Sequence, residues 1–395
     1  MNVCLIIGTV WAERHASAAG VRMWRLIEML QKSGREVVFG SGAANETARQ
    51  ELEDAGIRTV DTPVNDPAFD ELIRGLKPEV VIFDRFMTEE QFSWRVREQC
   101  PDALRVLDTI DLHFLRYARQ KNVDQPDLGP GNETLLRELA AIYRSDLSLI
   151  ISNHEFELLV NQLRIPVDKL CYHPLVYPPA EDAPGFDARN DFCTVGNFMH
   201  APNMDAVDRL AKVLWPAIWN QLPEANMFVY GAYVSERARQ LHKPAEGFHI
   251  VGNADDLGAV LRKHRVLLAP LRFGAGLKGK VMDAWYYGQA VVTTPIGAEG
   301  LFPDEAWGGA IAHSDPCFVS EAVRLYGDAA SWAAAVAEGR EILATQFDET
   351  THQQGLLEAF QAVQRSGDVL GALLWREQTR STEFMSRWIE LKNEK

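Results

Sequence analysis

The sequence predicts an α/β protein made of two doubly wound domains that face each other across a cleft. Three observations predict it. Short apolar runs alternate with longer amphipathic stretches, the rhythm of a parallel sheet covered by helices on both faces. A cluster of prolines between His173 and Asn190 interrupts that rhythm. Beyond the cluster the order strand, glycine, loop, helix, strand begins again. The chain has 395 residues, 47% of them hydrophobic, and a single core usually splits beyond roughly 250–300 residues.

Residues 3–7 are a β-rich run ending at Gly8 and read as a buried first strand. A helix follows over Ala18–Lys32, with Val21, Trp24, Leu26, Ile27 and Leu30 near helical spacing and Gly34 as its stop. Residues 36–39, 80–83, 104–107 and 147–151 are further strands, and 88–99 and 132–144 carry helical patterns. Pro174, Pro178, Pro179 and Pro184 then exclude a helix or a central strand, since proline fixes φ and removes a donor. The stretch 173–190 therefore reads as a linker. In the second half, residues 192–195 form a strand ending at Gly196, and 203–221 a helix with Val207, Leu210, Ala211, Leu214 and Ile218 on one face. Strands at 227–230 (ending at Gly231), 249–251, 266–269 and 290–293 continue the series. From Ser331 the chain reads as mostly helical, and Leu370, Leu373, Leu374, Phe384, Met385, Trp388 and Ile389 there need a surface to cover. The expected domains are residues 1–178 and 179–365, with a terminal helix in 366–395 returning to the first.

Lys and Arg number 40 against 55 Asp and Glu, a formal net charge of −15. A general nucleic-acid binder carries the opposite excess. The five cysteines, Cys4, Cys100, Cys171, Cys193 and Cys317, are scattered and form no CxxC pair. That argues against a disulfide framework or a structural zinc site and for a reducing compartment. No apolar run approaches the ~18 residues that span a bilayer, and MNVCLIIGTVWAERH lacks the basic start of a signal peptide. A cytoplasmic protein is expected, with membrane contact at most peripheral through Arg22, Arg25, Lys32, Trp24 and Met29 of the first helix.

The segment best suited to chemistry is VLLAPLRFGAGLKGKVMDAWYYGQAVVTTPIGAEGL, from Val266 to Leu301. A buried strand leads into Arg272, Phe273, Gly274, Ala275 and Gly276, and a helix is expected to begin near Leu277 or Lys278. Glycines there let the backbone approach a ligand, and the helix N-terminus favours an anion. Lys278 and Lys280 add full charges. Together these read as a phosphate cradle, though not the P-loop, which needs GxxxxGK followed by Ser or Thr. A glycine-lined turn with two solvated lysines is the plain alternative. Lys280 points roughly 200° round the helix from Lys278, so the two cannot serve one place.

The stretch FGAGLKGKVMDAWYYGQAVVTT resembles a segment of the retaining GT-B glycosyltransferases of the group-1 (glycosyltransferase family 4-like) type, which use nucleotide-sugar donors. The family pattern there is Glu, seven residues, Glu, then Ala, a Gly three or four residues on, and Pro-Val-Val. Its second acidic position falls on Asp283, with Gly288, Val291 and Val292 in place, and its first on Ala275. FCTVGNFMHAPNMDAV (192–207), MFVYGAY (227–233) and IVGNADDLGAVLRKHRVLLAPL (250–271) share the likeness, which spans nearly all of the second half. The first half matches in outline.

The resemblance implies that Asp283 accepts from the donor's ribose hydroxyls; its plain alternative is an i,i+3 pair with Lys280. It implies that Lys278 holds the diphosphate as the glycosyl bond breaks, that Val251 to Asp256 form the wall for the base, and that Gly231 makes room for the nucleotide. Asn197 lies where many members have a phosphate-binding Arg with a Lys soon after; here Phe198, Met199 and His200 follow. More of the neutralisation then falls on Lys278, Lys280 and Arg272. The donor-binding set is Gly20, Asn197, Gly231, Val251, Arg272, Gly274, Ala275, Gly276, Leu277, Lys278 and Asp283. Lys278 and His113 are the catalytic candidates. Gly20 opens a helix where the family has a glycine-rich loop. His113 closes the run Asp108-Thr109-Ile110-Asp111-Leu112-His113 after a predicted strand, near where the family often has a His that contacts the transferred sugar; Asp or Thr as a helix N-cap is the plain alternative for that run. Ser152-Asn153-His154-Glu155, after the strand at 147–151, is a similar candidate run; Ser152 or Asn153 as an N-cap, with Glu155 reaching back in a capping box, is its plain alternative.

The function implied is transfer of a sugar from a nucleotide donor, UDP- or GDP-linked, to a glycan, lipid-linked or small-molecule acceptor. No cofactor beyond the co-substrate is expected, and no metal, since HExxH, DxD and paired-ligand spacings are lacking. Retention follows from the resemblance alone. Alternatives are a nucleotide-sugar epimerase or glycosyl phosphorylase of the same fold, and a non-catalytic nucleotide-sugar-binding protein, for which Ala275 and the missing Arg speak. An NAD-dependent dehydrogenase is disfavoured, because neither Gly8-Thr9-Val10 nor Gly196-Asn197-Phe198 continues into GxGxxG.

Overall fold

Apolar runs buried on both faces require a sheet that helices cover from both sides. In the computed structural model, which describes residues 2–14, 18–301, 307–363 and 382–393, two such sheets form. The first contains β1 (Val3–Gly8), β2 (Glu36–Ser41), β3 (Arg58–Asp61), β4 (Val80–Asp84), β5 (Leu104–Asp108), β6 (Leu147–Ile150) and β7 (Leu170–Tyr172) in the order β3-β2-β1-β4-β5-β6-β7. The second contains β8 (Asn190–Val195), β9 (Met227–Tyr230), β10 (Phe248–Gly252), β11 (His264–Ala269), β12 (Ala290–Thr293) and β13 (Gly309–Ile311) in the order β10-β9-β8-β11-β12-β13. Every pairing is parallel; Leu5 lies between Val38 and Val81, and Leu267 between Cys193 and Val291. The strand order reverses between β1 and β4 and again between β8 and β11. At such switch points the connections diverge and leave a crevice at the carboxyl ends of the strands.

Apolar clusters cover both faces of each sheet, one face of the first with Leu5, Val81 and Phe114, the other with Ile6, Trp24 and Leu30. The two doubly wound domains expected from the sequence are therefore present. Among the elements that the sequence did not reveal are β3, β7, β13 and the helices Glu46–Asp54, Ala68–Leu76, Leu257–Lys263 and Asp315–Gly327. All but the last are short, and β3 is a half-exposed edge strand with charged ends. The helix expected over 203–221 runs as Ala201–Arg209, a π-helical turn Leu210–Leu214, and Trp215–Trp219. Trp215 N–H donates to Leu210 O, a wider turn placed just before Pro216, which has no N–H to give.

The chain crosses back to the first domain earlier than residue 366. Tyr177 N–H donates to Phe347 O at 2.9 Å, and Tyr177 bridges Asp348, so the two crossing segments run side by side. The helix Glu349–Ala362 then buries Leu356 and Phe360 in the first-domain core. A terminal helix at 382–393 also meets that domain, with Ser386 donating to Asn65 at 2.7 Å and Arg387 to Glu98 at 3.0 Å. Phe384, Met385 and Trp388 on it stay exposed, contrary to the expectation that they cover a surface. Leu370, Leu373 and Leu374 lie outside the described residues. All five cysteines are free, and no helix among the described residues is long and apolar enough to cross a membrane.

Candidate active site

The carboxyl ends of both sheets open on one cavity of about 1060 Å³ between the domains. Of the sequence candidates, His113, Asn197, Gly231, Gly274, Ala275, Gly276, Leu277, Lys278 and Asp283 line it. Three do not. Val251 is half exposed, and the wall near it is made by Asn253 to Gly258. Arg272 is drawn away by Asp205, which accepts from its Nε at 2.9 Å. Gly20 is buried inside the helix Ala18–Lys32, whose Ala18, Ala19, Val21 and Arg22 form the wall there.

On the second-domain side, two backbones meet where β8 and β9 end. A Cβ at Gly231 would stand 2.0 Å from Gly196 O, so only glycine fits. After β11 the chain turns through Gly276, whose φ is 64°. A Cβ there would lie 2.9 Å from Asp111 Cβ. The turn is thus pressed against the first domain, and three of its polar atoms are already engaged. Gly276 N–H donates to Glu155 Oε1 at 2.7 Å, Gly276 O accepts from Lys278 Nζ at 2.6 Å, and Gly274 O accepts from Arg119 at 2.9 Å. Gly276 N–H is therefore spent on Glu155 and not offered to an anion, which narrows the reading in which the whole Gly274–Gly276 backbone faces one. The helix begins at Gly279, with Lys278 as its N-cap residue; no side chain caps it, and Gly279 and Lys280 line the cavity. That uncapped end is the place open to an anion.

Neither lysine is the solvated surface lysine of the plain alternative. Lys278 is 7% exposed, and burial lowers its pKa while Glu299 and Glu155 pull it up. Lys280 donates to Asn203 Oδ1 at 2.7 Å, and burial pushes its pKa down to about 8. A Cβ at Gly196 would stand 2.9 Å from Lys280 Nζ, so this ammonium lies beside the loop after β8. Asn197 shapes the same loop, its Oδ1 accepting from Met199 N–H at 2.8 Å and its carbonyl from Asn203 at 3.0 Å. Asp283 makes no pair with Lys280. It accepts from the Tyr177 hydroxyl at 2.6 Å; burial raises its pKa to about 6, with Tyr177 opposing.

On the first-domain side the loop after β5 carries the polar groups. Ile110 has φ 63°, a costly conformation for a β-branched residue and one that clusters at functional sites. It turns Asp111 and His113 into the cavity, while Asp108 pairs with buried Arg22 at 2.8 Å and Thr109 donates to Leu149 O at 2.9 Å. Neither Asp nor Thr caps the helix His113–Lys121. Glu138 accepts from His113 and Phe114 N–H at 3.0 and 2.6 Å, and Glu155 from Leu112 N–H at 3.1 Å. Asp111 Oδ1 is left to hold His113 Nε2 at 3.2 Å, and its Oδ2 to hold Arg116 at 3.0 Å. Burial would raise the Asp111 pKa, but His113 and Arg116 hold it down at about 2.

Several groups that close the site do so through contacts that local sequence does not show. Glu155 does not complete a capping box: one oxygen joins Leu112 to Gly276 across the domains, and the other is buried without a hydrogen-bond partner among the described residues. Arg119 and His154 meet Glu299 across the cleft at 2.6 and 3.1 Å, and Arg116 reaches His200 at 3.1 Å. Tyr177 comes from the linker. Among the described residues, no three His, Cys, Asp or Glu side chains converge to hold a metal ion.

Comparison with known proteins agrees with this fold. Residues 189–336 match the family described as Glycosyl transferases group 1. No curated protein matches the chain in sequence. Among solved structures, sucrose-phosphate synthase from Thermosynechococcus elongatus superposes with a TM-score of 0.70 at 14% identity, over 91% of this chain and 98% of that one. HepE from Anabaena, solved with UDP and glucose, gives 0.68 at 11% identity over 91% and 99%. The pneumococcal O-GlcNAc transferase GtfA, solved with UDP and GlcNAc, gives 0.69 at 12% identity over 92% and 99%. At these identities the structural likeness speaks for the fold.

Proposed function

We propose that this chain is a nucleotide-sugar-dependent glycosyltransferase, a reading supported by the match of residues 189–336 to the group 1 family and by the fold shared with solved glycosyltransferases, and that its cavity divides the work as follows. The nucleotide diphosphate lies along the second-domain wall, with its phosphates at the open N-terminus of the helix Gly279–Tyr286, between Lys278 and Lys280. Its ribose faces Asp283, and its base lies against Asn253 to Asp256. The carrying observation is that a buried lysine, a half-buried one, a free helix N-terminus and a carboxylate line one cavity that His113 enters from the other side. UDP is the favoured nucleotide, since HepE and GtfA were solved with it.

In this reading the leaving diphosphate gains charge as the glycosyl bond breaks, and the two ammonium groups and the helix end are already aimed at it. His113, held through Nε2 by ionised Asp111, presents Nδ1 to the transferred sugar. The acceptor enters over the first-domain wall on the face the diphosphate leaves, which retains the anomeric configuration. Closing the domains excludes water from the bond being broken. The protein acts in the cytoplasm on this reading. A thermal-shift panel of UDP, GDP, ADP and CMP tests the donor site, because a nucleotide that binds the folded state raises its melting temperature. A rise with UDP is expected; no rise with any of the four would refute the reading. The non-catalytic alternative keeps one observation, Ala275 in the place of a carboxylate. Binding without turnover on any acceptor would favour it.

A further inference from the structure

Tyr177 stands in the segment that joins the domains, and its hydroxyl donates to Asp283 Oδ1 at 2.6 Å. Both residues line the cavity. The tyrosine is fixed on two further sides: its N–H donates to Phe347 O at 2.9 Å, and its ring packs on that of Tyr286 with centroids 5.5 Å apart. A phenol has one proton to give, and Tyr177 gives it to Asp283. Its oxygen keeps an acceptor lone pair. Asp283 Oδ2 has no hydrogen-bond partner among the described residues. Two acceptor oxygens, one from the interdomain segment and one from the helix Gly279–Tyr286, are thus held together by one hydrogen bond. Tyr177 occupies one acceptor site on Asp283 Oδ1, while a ribose presents two neighbouring hydroxyl donors whose spacing two adjacent oxygens can match.

We propose that Tyr177 and Asp283 together form a vicinal-diol site, in which one ribose hydroxyl donates to Asp283 Oδ2 and its neighbour donates to Tyr177 Oη. This rests on the reading that Asp283 faces the ribose, and it adds a second acceptor oxygen beside the carboxylate, so that each hydroxyl meets its own oxygen. The pair then selects ribonucleotides over deoxynucleotides. A site built to accept from a hydroxyl rejects the analogue without it, because its buried oxygens are left unpaired.

Calorimetric titration of UDP, GDP and ADP, each beside its 2′,3′-dideoxy form, into the parent protein, Tyr177→Phe and Asp283→Asn tests the site. The parent should prefer its best ribonucleotide over the dideoxy form by about 20-fold or more. Tyr177→Phe should cut that ratio about fivefold, the size of one neutral hydrogen bond, by weakening the ribonucleotide alone. A purely structural role for Tyr177 would weaken both forms alike. An unchanged ratio in Tyr177→Phe while Asp283→Asn abolishes discrimination sinks the diol and leaves the ribose reading standing. Tighter ribonucleotide binding by Tyr177→Phe also overturns the diol, making the tyrosine a plug that ribose displaces. A parent that does not distinguish the two forms, or binds none of the three nucleotides, refutes the ribose reading and the diol with it.

Discussion

Lys278 and Lys280 lie two residues apart, yet their ammonium groups face different neighbours, Gly276 O and Asn203 Oδ1. Lys278→Ala is expected to lower turnover by ~10²–10³-fold, the loss of one preorganised charge at a leaving group. Lys278 is also buried. Its ammonium ties down the turn at Gly276, so the variant should also melt lower. Lys280→Ala should act mainly on donor binding, raising KM roughly tenfold with a smaller effect on kcat, since a charge-assisted contact beside Gly196 is lost. Steady-state kinetics of the two variants separates these effects. Asp283 adds a pH signature. Burial raises its pKa to about 6, so it loses its negative charge as pH falls through that value. Nucleotide affinity should therefore drop between pH 7 and pH 5 in the parent and stay level in Asp283→Asn, as titrations across that range would show.

Among the elements, the helix Asn153–Glu157 carries the most consequence for its length. Its Glu155 joins the loop before one helix to the glycine turn before another, and burial raises its carboxyl pKa to about 7. A carboxyl held above its ordinary value favours the fold while protonated. That contribution is complete below about pH 4.5 and is lost as pH rises through about 7. Glu155→Gln keeps an acceptor for the two N–H groups but cannot ionise, so melting temperature should fall less steeply from pH 4.5 to pH 7 than in the parent. A parallel decline would refute the role. The sequence exposes why this residue is hard to find. Ser152, Asn153 and Glu155 have the spacing of a local cap, and nothing local says that the carboxylate reaches a turn 121 residues away. Strands such as β1, β9 and β12 were legible because their apolar runs are continuous. β3, β7 and β13 are three or four residues long at or near sheet edges, and leave too little pattern. The loop glycines were legible as special, but what Gly276 meets depends on how the domains dock. Tyr177 was hidden among prolines, in a stretch with no periodicity.

At the scale of the whole molecule, the candidate site exists only because two sheets present their carboxyl ends to each other. Arg119 with Glu299, Arg116 with His200 and Glu155 with Gly276 all span that junction. The neutralising charges on the donor side are lysines and a helix end, so transfer should persist in excess chelator. Complete loss of activity in chelator, restored by Mg²⁺ or Mn²⁺, would show that a divalent cation shares the task.

Among the described residues the polypeptide passes between its halves twice, and the passages are hydrogen-bonded to each other at Tyr177 and Phe347. A body tied at two adjacent points behaves like a door on paired pins: it swings about one axis and resists sliding or twisting. The arrangement also makes the molecule tolerant of a cut. Cleavage in the exposed stretch from Pro179 to Asp182 severs one pin, while the second passage and the helix Glu349–Ala362, seated by Leu356 and Phe360, still join the halves. A protein nicked there should migrate as two bands in denaturing gel electrophoresis, yet elute as one species of parental size from a gel-filtration column.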